Sequence, residues 1–74
     1  MNRRYKVMFR GSEVLEVRPS LHITYFFGGF RNINHPEHIL PRIIQYLYID
    51  AVDELDAFVA ATEWLSNQLR EQKS

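Results

Sequence analysis

The chain has 74 residues, with nine Lys/Arg against nine Asp/Glu, 46% apolar residues, 14% aromatic residues and no cysteine. This composition excludes a disordered tail, a disulfide scaffold and a thiolate metal centre. No run approaches the eighteen apolar residues of a membrane span, and the basic start leads into no apolar stretch of signal-peptide length, so the expectation is a soluble, cytoplasmic protein.

A chain this short buries only about 60% of the surface that its unfolded form exposes. Its large side chains exceed what a small monomer readily hides, which raises the expectation of self-association. The zero net charge conceals a split. Up to Arg42 there are seven Lys/Arg against three Glu, and from Ile43 onward two Lys/Arg against six Asp/Glu, a surplus of four in each direction. Separate basic and acidic surfaces follow, or a sheet and a helix that attract one another.

In chain order, Tyr5 to Arg10 alternates Tyr5, Val7 and Phe9 with Lys6, Met8 and Arg10, the period of a strand with one buried face. Gly11-Ser12 reads as a turn, and Glu13 to Arg18 as a second strand that completes a hairpin. Pro19-Ser20 interrupts it, because proline cannot donate to a ladder. Leu21 to Phe27 reads as a third strand, ended by Gly28-Gly29. Asn34 to Glu37 has the look of a capped helical turn that Pro41 stops. Arg42 to Ile49 is rich in β-branched and aromatic residues and is assigned as a strand, although Ile39, Leu40, Ile43, Ile44 and Leu47 also share a helical spacing.

Asp53 to Arg70 is the one long helix. Asp53 caps it, Glu54 and Asp56 suit the positive end of its dipole, and Arg70 with Lys73 suits the other end. Its spacing assigns Leu55, Phe58, Val59, Thr62, Leu65 and Leu69 to the buried face. The expected fold is therefore a single α+β domain over 1–74 with frayed ends at 1–4 and 71–74. A three- or four-stranded, mainly antiparallel sheet packs on one long C-terminal helix in two layers.

Nearly opposite that face, Ala57, Ala60, Ala61 and Trp64 form a flat patch, with Asp56 and Glu63 at its rim. Tryptophan amid small residues suits an interface centre, so these six are the expected partner-binding residues. The bland alternative is that the loop from Phe30 to Leu40 covers Trp64 within one molecule. The acidic run around Asp53 needs no more than helix capping to explain it.

A second candidate surface joins Arg3, Arg4, Lys6, Arg10 and Arg18 with Phe26, a basic sheet that contacts phosphates and stacks a base. His35 and His38, three apart, have ligand spacing, with His22 as a third, but lack the longer zinc signatures; no metal or cofactor is assigned. No nucleophile setting or paired-carboxylate pocket appears, so no enzyme is expected. The reading is a small regulatory or inhibitory protein, of the kind a phage or plasmid carries. It binds a larger protein or a second copy through its helix; a nucleic-acid module built on the basic sheet is the alternative.

Overall fold

A computed structural model of the chain describes residues 2–24 and 33–73. Strands β1 (Asn2–Arg10), β2 (Glu13–Thr24), β3 (Ile33–Asn34) and β4 (Ile44–Ala51) precede helix α1 (Glu54–Lys73). The strands form one antiparallel sheet in the order β2-β1-β4-β3. This is the expected two-layer α+β arrangement, with four strands and one C-terminal helix.

The period-2 pattern of β1 decides which residues face the helix. Tyr5, Val7 and Phe9 point inward and sit opposite Ile49, Leu47 and Gln45 of β4. Among the described residues the core comprises these three with Ile39, Leu47, Ile49, Ala51, Ala57, Ala61 and Leu65. Lys6, Met8 and Arg10 therefore project from the other face, beside Tyr48, Tyr46 and Ile44. The β1–β2 hairpin closes at Gly11-Ser12, between paired Arg10 and Glu13. Gly11 takes a φ of 59°, a conformation that favours glycine, and a Cβ there would sit tightly, 3.2 Å from the Pro41 carbonyl oxygen.

Several expectations change. Pro19-Ser20 does not end β2; the strand runs on to Thr24, absorbing the first part of the expected third strand. β2 is an edge strand, and its pairing with β1 slips just beyond Pro19, between the Tyr5↔Pro19 and Arg3↔Ile23 pairs. Edges and bulges are where a sheet accepts proline. Tyr25 to Phe27, Phe26 among them, and Gly28-Gly29 lie outside the described residues. The described secondary structure extends into both end segments. Arg3 is paired with both Ile23 and Ala51, and α1 continues to Lys73.

The expected helical turn at Asn34 to Glu37 is instead a short strand followed by bends. The side chain of Gln45 explains why. Its Nε2 donates to the His38 carbonyl and its Oε1 accepts from the Leu40 N–H, both at 2.9 Å, while Ile39 enters the core. These bonds occupy backbone groups that a helix would need for itself. The Ile43 N–H then closes a turn to the Leu40 carbonyl around Pro41-Arg42, and β4 follows as a strand.

Candidate docking surface on α1

The start of α1 is built as the sequence indicates. The Asp56 N–H donates to Asp53 Oδ1 at 2.8 Å, and the Ala57 N–H donates to the Asp53 carbonyl. Asp56 Oδ2 in turn accepts from the Val52 N–H at 3.2 Å, so two orphan donors at the helix entry are satisfied. Asp56, expected at an interface rim, is half-buried and serves in this cap.

The rotation of the helix is not the expected one. Ala57 and Ala61 are fully buried against the sheet, with Leu65 beside them, and Ala60, Trp64 and Leu69 pack around that core. Ala57 and Ala61 are thus unable to touch a partner, which corrects the expected binding patch. The physical reason is volume. Phe9, Leu47 and Ile49 already fill the sheet's inner face, and alanines let the helix backbone come close to it.

Trp64 is half-buried, edge-on to Phe9 at a centroid distance of 6.4 Å. The His35 ring lies over it at 4.8 Å and 41°, so the segment after β3 covers the tryptophan within one molecule. That ring is oriented by a 2.9 Å contact between Nδ1 and the Pro36 carbonyl. His35 is thereby engaged in aromatic packing, His38 is exposed, and the side chain of His22 lies outside the description. Among the described residues no three His, Cys, Asp or Glu gather in a metal-binding group.

The consequence of the rotation is an apolar stripe on the outside. Leu55 is 70% exposed, Val59 46% and Phe58 44%, and Val52, just before the helix, is 63% exposed. Thr62 continues the stripe, its hydroxyl donating to the Phe58 carbonyl at 2.9 Å. Exposed Asp53, Glu54 and Glu63 border it. Four large apolar side chains ringed by carboxylates occupy the place where a solvated helix carries charge throughout. On the flank toward β3, Val59, Ala60, Glu63 and Trp64 share a shallow hollow with Ile33 and Asn67.

The second candidate surface is partly assembled. Arg4, Lys6 and Arg10 of β1 share the outer sheet face with Glu16 and Arg18 of β2, while Arg3, one residue out of step, belongs to the opposite face. Two of these cations are already engaged. Arg4 donates through Nε to Asp50 Oδ1 at 2.9 Å and through a terminal nitrogen to Oδ2 at 3.4 Å. The hydrogen bond to Asp50 raises the Arg4 guanidinium above its ordinary value, opposed by burial and helped by the carboxylate charge. Asp50 is fully buried, so this pair is fixed in the sheet. Arg18 bonds through Nε to Glu16 at the surface. Lys6 Nζ sits 4.4 Å above the Tyr46 ring. Lys6, Met8, Glu16, Arg18 and Tyr46 together line a depression on this face.

Among the described residues no helix is long and apolar enough to cross a membrane. Comparison with family models, with curated proteins and with solved structures finds no match to this chain. The functional reading therefore rests on its surfaces.

Proposed function

We propose that this protein is a small, non-catalytic binding module that regulates or inhibits a larger assembly by docking through the outer face of α1. The observation that supports it is the exposed stripe of Val52, Leu55, Phe58 and Val59 on the domain's long helix. Its fitting partner is an apolar protein surface rimmed by Lys or Arg, because Asp53, Glu54 and Glu63 ring the stripe. This keeps the helix as the binding element and moves the contact from the alanine face to its opposite.

The basic sheet has one observation in its favour as a phosphate-binding surface. The strand register brings Arg4, Lys6, Arg10 and Arg18 to one face beside Tyr46. Asp50 and Glu16 offset two of those charges, and Glu13 faces Arg10, which leaves a weak field for a nucleic acid.

The test is a photo-crosslinking residue at Leu55, with one at Ser12 in the hairpin turn as control. The reading expects one defined protein adduct from position 55 that is missing from position 12. Titration of that purified protein should then show binding weakened at least about tenfold by Val59→Asp, which removes an apolar contact from the interface centre. Equal binding by Val59→Asp would overturn it.

A further inference from the structure

The two broad faces of this domain are complementary to one another. The outer face of α1 carries Leu55, Phe58 and Val59 within a ring of Asp53, Glu54 and Glu63. The outer face of the sheet carries Tyr46, Ile44 and Met8 among Lys6, Arg10 and Arg18, with Glu16 bonded to Arg18 and Glu13 paired with Arg10. Helix and sheet are stacked in two layers, so these faces point in opposite directions and do not meet within one molecule. A second copy of the chain thus presents an apolar surface with a small surplus of positive charge, Lys6, Arg10 and Arg18 against Glu13 and Glu16.

We propose that the protein self-associates head to tail, the α1 stripe of one copy seated on the outer sheet face of the next. The inference rests on the α1 reading above and names its partner. A contact between two helix faces is disfavoured by the same charges. Two α1 stripes face to face would bring Asp53, Glu54 and Glu63 of both copies together, whereas the sheet face carries the smaller, opposite surplus. The depression between Lys6, Met8, Glu16, Arg18 and Tyr46 offers a seat for a large apolar side chain such as Phe58 or Leu55. A contact between unlike faces leaves one of each free at the ends. It therefore extends into chains or closes into rings, and does not stop at a two-fold dimer.

The experiment is sedimentation velocity of the purified chain over a wide concentration range at low and at moderate salt. Two variants accompany it, Leu55→Asp with Val59→Asp on the helix and Lys6→Glu with Arg18→Glu on the sheet, each checked for native circular dichroism. Wild type should sediment faster as concentration rises, without a dimer plateau, and less so at moderate salt. Each double variant alone should remain monomeric. An equimolar mixture of the two should form a one-to-one dimer, because each supplies the face that the other has lost.

A wild type that stays monomeric throughout overturns the self-association proposal while leaving the crosslinking test of the α1 reading standing. Association in which the mixed variants stay apart also overturns it, since that behaviour belongs to a symmetric contact. Association that survives Leu55→Asp with Val59→Asp removes the α1 stripe as the contact and overturns the inference as well.

Discussion

The inner and outer faces of α1 invert the usual relation between size and burial. The inner face presents Ala57 and Ala61, fully covered, with Leu65 as its large buried residue; the outer face presents Leu55, Phe58 and Val59 to solvent. Both faces are apolar, so hydrophobicity alone does not choose between them. The choice falls to shape. The sheet supplies the bulk of the core through Tyr5, Val7, Phe9, Leu47 and Ile49, and the helix fits it best by bringing backbone and methyl groups close. The larger side chains are left where a partner can reach them.

Substitutions on the two faces should separate them sharply. Leu65→Ala should cost about 2–5 kcal/mol of unfolding free energy in a urea titration followed by circular dichroism, as deletion of a fully buried leucine does. Ala61→Leu, which adds apolar atoms to a helix, should nonetheless destabilise by about 1–3 kcal/mol in the same titration, because the space against the sheet is filled. A neutral or stabilising Ala61→Leu would mean that the inner face is loosely packed and would break the comparison. Asp53→Ala, at the entry shared by both faces, should cost about 1 kcal/mol through the lost bond to the Asp56 N–H. Leu55→Asp should change stability by no more than about 0.5 kcal/mol, since its side chain is in water already. A large loss for Leu55→Asp in the dilute monomer would place that residue in the core.

Much of this arrangement is legible in the residues, because it depends on local rules. The alternation in β1, the Gly11-Ser12 turn, the strand before α1 and the Asp53 cap each follow from a few neighbouring side chains. The rotation of α1 is not local. Two i, i+4 series compete along it, one through Leu55, Val59 and the residues beyond and one through Ala57, Ala61 and Leu65. Only the volume contributed by Phe9 and Leu47 decides between them. A reading weighted by side-chain size selects the larger series, and the expected site at Ala57, Ala60, Ala61 and Trp64 fell on the core side for that reason.

Trp64 shows the same limit. Its cover comes from His35, 29 positions away in the chain. Likewise the continuation of β2 through Pro19 depends on the strand being an edge, a property of the whole sheet order. Of the basic candidates, Arg4, Lys6, Arg10 and Arg18 share one face and Arg3 lies on the other. Arg4 is diverted by Asp50, whose burial no nearby residue signals.

The pairing of β1 with β4 bears on the order in which the molecule assembles. The hairpin of β1 and β2 needs only the two-residue turn at Gly11-Ser12, whereas the Arg4–Asp50 contact joins residues 46 positions apart. The chain must close that long loop before Leu47 and Ile49 reach Val7 and Tyr5, which predicts a refolding rate set by a search over distance and not by helix or turn formation. Inserting a glycine-serine segment between Thr24 and Ile33 lengthens the search. It should slow refolding, followed through the fluorescence of Trp64, while doubling that loop costs only about 0.6 kcal/mol of stability. Unchanged refolding kinetics would assign the slow step to some other event.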